Sequence, residues 1–120
     1  MVVRVTSPLL EIEQIGDVAL VTFTSRSILD PQAATVIGRQ LKVLVQEQAC
    51  NRVILDFGNV ERLTTLVVGQ VAALHQTIKA AGGRLAVCSI RPDVFGIFQI
   101  LRLNKILHIY KDEQEALQSF

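Results

Sequence analysis

Apolar residues recur along this chain with two different periods, and each change of period marks the edge of an element. Leu10 to Glu13 alternates apolar and polar side chains, and so does Val21 to Thr24 at the end of an apolar run from Val18. Gly16-Asp17 lies between the two segments, so they predict a β-hairpin with one buried face. Asp30-Pro31 then opens a helix, because Asp is a favoured N-cap and Pro fits the first helical position. Ile37, Leu41, Leu44 and Val45 share the inner side of that helix, which the pattern carries to about Ala49. Val53 to Phe57 is a short apolar run and reads as a central strand. Leu66 to Ala81 is a second helix, closed by Gly82-Gly83, where Gly relieves the left-handed geometry of a C-terminal cap. Arg84 to Ser89 follows as a strand and Pro92 to about Leu101 as a third helix. Ile106 to Tyr110 is a last short strand, and Asp112 to Gln118 a terminal helix.

Strands alternating with helices imply parallel pairs covered by helices, and the opening hairpin makes the sheet mixed. The expected fold is α/β: a mixed β-sheet, opening hairpin plus parallel strands, covered by about four helices. At 120 residues the whole chain, 1–120, reads as a single domain with a real core. Half of the residues are hydrophobic and 19% are charged, which separates it from disordered sequences. The net charge is +1 and the Lys and Arg residues are scattered, so there is no basic stripe and no direct nucleic-acid partner is expected. Met1 to Glu11 carries Arg4 but no apolar h-region, hence no secretory signal is expected. No apolar stretch approaches the roughly 20 residues that cross a bilayer, so no membrane partner is expected either. Cys50 and Cys88 make neither a disulfide framework nor a metal site, and the expected setting is the cytoplasm with both thiols reduced.

Enzyme chemistry finds little support. No Gly-rich loop connects a strand to a helix, and Gly82-Gly83 has the reverse order, helix before and strand after. His75 falls mid-helix and His108 between Leu107 and Ile109, neither with a partner at metal-ligand spacing. Cys88 lies within an apolar strand, where a thiol acts as a small hydrophobe, and Cys50 at a helix end reads the same way. Glu113 and Glu115 read as the solvated face of a polar terminal helix. No catalytic residue, metal or cofactor is expected, and the chain does not read as an enzyme.

Thr64-Thr65 is the exception. These two hydroxyls stand where the second helix begins, after the strand Val53 to Phe57 and the turn Gly58 to Leu63. A helix N-terminus has unpaired N–H groups and a partial positive charge. A hydroxyl there can cap the helix, and a phosphate attached there is well tolerated. The residues alone leave both roles open.

Four segments, in order and at their spacing, resemble the STAS domain of bacterial anti-sigma-factor antagonists. They are Ile28-Leu29-Asp30; Val53-Ile54-Leu55-Asp56-Phe57 with Val60 and Leu63-Thr64-Thr65; Ala80-Ala81-Gly82-Gly83 with Leu85 to Cys88; and Ile90-Arg91-Pro92 through Val94, Phe98 and Leu103 to Ile106. The resemblance spans about Leu9 to Leu117. In that family the loop before the second helix commonly reads Asp-Ser-Ser-Gly, and a partner anti-sigma factor that is itself a kinase phosphorylates the first Ser. Laid on this chain, Thr64 takes the Asp place and Thr65 the phosphoacceptor place, with Thr64 as the fallback acceptor. Leu66 replaces the second Ser and Val67 the Gly.

The resemblance implies a phosphorylation-controlled protein-binding switch, in which the domain sequesters an anti-sigma factor with serine/threonine kinase activity and frees a sigma factor. It also implies an opposing phosphatase and a monomer or weak homodimer. Asp30, Arg62, Thr64 and Thr65 are the implied partner-binding residues. The alternative it offers is a scaffold subunit of a large, stressosome-like sensory complex.

Overall fold

The computed structural model describes residues 9–120 and the backbone of residues 4–6. Part of the N-terminal stretch read above as lacking a secretory signal therefore lies outside the described residues. In chain order the elements are β1 (Arg4–Thr6), β2 (Leu10–Ile15), β3 (Val18–Phe23), β4 (Ser27–Ile28), α1 (Pro31–Gln46), β5 (Arg52–Asp56) and β6 (Arg62–Leu63). There follow α2 (Thr65–Ala80), β7 (Arg84–Cys88), α3 (Pro92–Ile100), a 3-10 turn at Leu103–Lys105, β8 (His108–Tyr110) and α4 (Glu113–Gln118).

Six strands form one sheet in the order β1-β2-β3-β5-β7-β8. The first two pairings are antiparallel, and β3, β5, β7 and β8 run parallel. The expected mixed α/β sheet with four helices is thus the observed one. Helices cover both faces, which is why β5 and β7 are buried almost end to end although strand side chains alternate. Val53, Leu55, Leu85 and Val87 face the larger core, under α1, α2 and α3, and Ile54, Ala86 and Cys88 face a smaller cluster under α4. Phe57, just beyond β5, anchors the larger core. Its ring stacks on Phe23 at 4.5 Å and meets Phe98 edge-on at 5.6 Å.

Element edges differ from the sequence reading where backbone amides are drawn into local turns. α1 ends at Gln46 rather than near Ala49, because the amides of Glu47 and Gln48 both fold back onto the Val43 carbonyl and Ala49 turns left-handed at φ 55°. β8 begins at His108 rather than Ile106. The amides of Ile106 and Leu107 are spent on the Leu103 carbonyl, at 3.1 and 2.8 Å, and cannot join the ladder. α2 starts one residue early, at Thr65. Among the described residues no helix is long and apolar enough to cross a membrane.

Two glycines make opposite predictions. A Cβ at Gly83 would stand 1.9 Å from the backbone oxygen of Asn51, which also accepts the Arg84 amide at 2.8 Å. A Cβ at Gly69, within α2, meets nothing within 4 Å. Gly83→Ala is therefore expected to destabilise the domain by about 1–3 kcal/mol through forced backbone movement. Gly69→Ala is expected to stabilise it by about 0.5–1 kcal/mol through helix propensity. Paired urea denaturations, read at a common slope, check both signs.

Candidate functional site

Two strands too short for the main sheet build the site. β4 and β6 pair in parallel, Ser27 with Arg62 and Ile28 with Leu63. The pairing is reinforced by the Glu61 and Arg62 amides, which both donate to the Arg26 carbonyl at 2.8 and 3.1 Å. Ile28 and Leu63 turn into the core, leaving Ser27 and Arg62 in solvent. Each strand leads directly into a helix. Asp30 lies two residues beyond Ile28, and Thr65 two residues beyond Leu63, so the register places the starts of α1 and α2 side by side.

The two helix starts are chemically unlike. At α1, Asp30 is the N-cap and its Oδ1 accepts from the Gln32 amide at 2.9 Å, so that end carries its own anion. At α2 the N-cap is Thr64, and no side chain caps the helix. The hydroxyl cap that the sequence allows at Thr64-Thr65 is not made. Thr64 Oγ1 is instead buried without a hydrogen-bond partner among the described residues. The Val67 amide turns back onto the Thr64 carbonyl at 3.1 Å, so the start of α2 has no side-chain cap, and Thr65 at its first position is exposed.

Around this pair the surface is apolar as well as polar. Leu29 and Leu66, next to Asp30 and Thr65, are 51% and 52% exposed. Neither leucine stands out in the sequence reading. The signal was present, because Leu66 lies off the buried stripe Val67, Val71, Leu74 and Ile78 of its own helix. Arg62 is exposed, three residues before Thr65.

The loop leading to Thr64 is braced at several points. Asp56 Oδ1 accepts from the Gly58 amide at 2.7 Å, and Arg91 Nε donates to the Gly58 carbonyl at 3.2 Å. Asn59 Nδ2 donates to the Phe23 carbonyl at 3.2 Å, and the Val60 amide to Phe57 at 2.9 Å. This bracing fixes the backbone that delivers the two threonines.

The other singled-out residues lie elsewhere. Cys88 is buried in β7, and burial, with the nearby Asp56 charge, pushes its thiol up to about 12, so it stays protonated as expected of an inert thiol. Cys50 is half-buried and free. His75 has its pKa lowered by burial and by Lys79 and His108, and it lies on α2 well beyond the threonines. No group of acidic, His and Cys residues among those described could hold a metal ion. The reading of Glu113 as part of a solvated face needs correcting. Its carboxyl hydrogen-bonds to the buried Asp56 at the end of β5, against which α4 packs. Glu115 is exposed, as that reading has it.

The STAS domain model matches residues 10–116, and the chain belongs to the STAS domain family. A curated relative, the anti-sigma F factor antagonist of Paenibacillus polymyxa, is 27% identical over 89 residues, covering 74% of this chain and 76% of the relative. Among solved structures, an anti-sigma-factor antagonist (STAS) domain protein from Planctomyces limnophilus superposes with a TM-score of 0.82 at 20% identity, covering 92% of this chain and 96% of that one. The Bacillus cell fate determinant SpoIIAA in its phosphorylated form superposes with a TM-score of 0.72 at 17% identity, covering 92% and 97%. At those identities the two superpositions establish the fold.

Proposed function

We propose that this protein is an anti-sigma-factor antagonist whose partner is an anti-sigma factor with serine/threonine kinase activity, and that phosphorylation of Thr65 switches the two apart. The observation that carries the reading is the uncapped, exposed start of α2, held by the β4–β6 pairing beside the start of α1. The naming of the Paenibacillus relative as an anti-sigma F factor antagonist supports it, as does the existence of a phosphorylated form of a protein with the same fold. The role is binding, not catalysis, and the setting is the cytoplasm.

In the unmodified state Leu29 and Leu66 supply the apolar contact, while Asp30, Arg62 and Thr65 supply polar ones; the buried Thr64 hydroxyl, implied as a contact by the family resemblance, does not reach this surface. Binding at this surface sequesters the anti-sigma factor and frees its sigma factor. A phosphate on Thr65 adds about −1.5 to −2 charges. Within the free domain the positive end of α2, which no side chain caps, offsets that charge, so the fold is retained. Arg62 is placed to pair with it. Across the interface the same group must be desolvated next to two leucines and Asp30, and the complex separates. Thr65 is the acceptor in preference to Thr64, whose hydroxyl is buried. An opposing phosphatase resets the switch, and the protein acts as a monomer or weak homodimer.

The test is the intact mass of this protein isolated from its own host, with fragmentation to place any added phosphate. Phosphate on Thr65 is the expected result. A chain left unmodified under several growth conditions would refute the switch and leave a scaffold subunit or an unmodified binding module in its place.

A further inference from the structure

The sheet face opposite the larger core carries a polar row. In-register pairing aligns Glu11, Thr22, Asp56, Cys88 and Tyr110 across β2, β3, β5, β7 and β8, and α4 crosses this face. Asp56 is the one charged residue in the buried set among the described residues, at 8% exposure. Glu113, the first residue of α4, brings its carboxyl into hydrogen bonding with it. Two carboxylates in contact cannot both be ionised cheaply, and the carboxyl that is raised here is that of Glu113.

Besides this contact, α4 is held by the small cluster beneath it and by Arg52 and Arg84 against Phe120. It spans six residues, too few to be helical alone, and its one fully buried side chain is Ala116, with Leu117 and Phe120 partly covered. We propose that α4 is a proton-dependent latch: the Glu113 carboxyl, while it carries a proton to donate to Asp56, fastens the helix across β5, β7 and β8, and the helix loosens when that proton is lost. This stands independently of the role of Thr65.

The surrounding charges favour such behaviour. Glu113 is pushed up to about 7, first by its hydrogen bond to Asp56, then by burial, then by the negative charges of Asp56, Glu13 and Asp112. Glu13 faces the pair from β2, as does Glu11, and Asp112 is the α4 N-cap. β7 contributes Cys88, which stays neutral, and β8 contributes Tyr110 and, at its start, His108. Lys111 is exposed in the turn before α4. Arg52 and Arg84 are engaged at the other end of α4, where each guanidinium lies 5.3 Å from the Phe120 ring. A carboxyl whose folded pKa is raised favours the docked state below its ordinary pKa, near 4.5, and loses that contribution as pH rises through about 7.

The experiment is a carbon-detected NMR titration of the side-chain carboxyls of the full chain, with amide hydrogen exchange followed at the same pH values. Glu113 is expected to titrate near 7. Protection of the Ala116 amide, corrected for intrinsic exchange, is expected to fall about tenfold between about pH 6 and 8 while Val71 in α2 is unchanged. Glu113→Gln keeps an N–H donor towards Asp56 at every pH, so α4 is expected to stay docked and to lose the pH dependence. Asp56→Asn is expected to return Glu113 towards the ordinary glutamate range. A wild-type Glu113 titrating in that ordinary range overturns the latch. So does constant Ala116 protection across its titration, or a Glu113→Gln chain that keeps the wild-type pH profile.

Discussion

Replacing Thr65 with Asp is expected to weaken binding to the host's kinase-type anti-sigma factor by about a thousandfold, a loss of about 4 kcal/mol. The substitution places a permanent negative charge at the first position of α2, in a surface otherwise made by Leu29, Asp30 and Leu66. Inside the free domain the charge is well placed, since the start of α2 has no side-chain cap, and a carboxylate in the first turn contributes about 0.3–1 kcal/mol. The melting temperature is therefore expected to hold or rise slightly while affinity collapses. That opposition separates a switch from a damaged fold. Thr65→Ala serves as the counterpart, expected to bind close to wild type and to resist phosphorylation. Titration calorimetry of the three chains against the purified anti-sigma factor decides the matter. A Thr65→Asp chain that binds as tightly as wild type would contradict the proposed mechanism.

The second large effect is on stability. Phe57→Ala is expected to cost about 3–5 kcal/mol, a large part of the 5–15 kcal/mol that holds a typical domain together. Phe57 has no exposed surface and sits between the rings of Phe23 and Phe98, which join β3 and α3 to the end of β5. Removing it leaves a cavity that three different elements would have to close together. The Phe57 carbonyl also accepts the Val60 amide, so the loop towards Thr64 loosens with the core. Urea denaturation measures the loss. A cost below 1 kcal/mol would mean that the aromatic cluster collapses around the gap.

Most of the main sheet was legible because its signals are local. The Gly16-Asp17 turn, the Asp30-Pro31 helix start and the Gly82-Gly83 stop each act within a few residues, and each appears where the sequence places it. β4 and β6 were not legible. Two residues carry no period, and Ser27-Ile28 becomes a strand only because Arg62-Leu63 arrives beside it from across α1 and β5. The candidate site shows the same division. Asp30 as an N-cap follows from residue type and neighbour, and Asp30 does cap α1. The threonine pair invites the same inference, yet at α2 the backbone turns Thr64 inward and leaves the helix uncapped. Glu113 was misplaced because the polar alternation of a short helix says nothing about Asp56 beneath it. Tertiary contact, not propensity, decides that side chain.

The β4–β6 pairing has a consequence for how the protein is made. It joins two segments through only two residue pairs, with an entire helix and a strand between them in the chain. Closing so long a loop for so little pairing is entropically unfavourable until the sheet and both helices are in place. The clip is therefore expected to close late, bringing Asp30 and Thr65 together when it does. On the proposed function, a chain with its core formed but its clip open would lack the partner surface. On that same reading, completion of the binding face marks completed folding, and a half-folded molecule would not engage the partner.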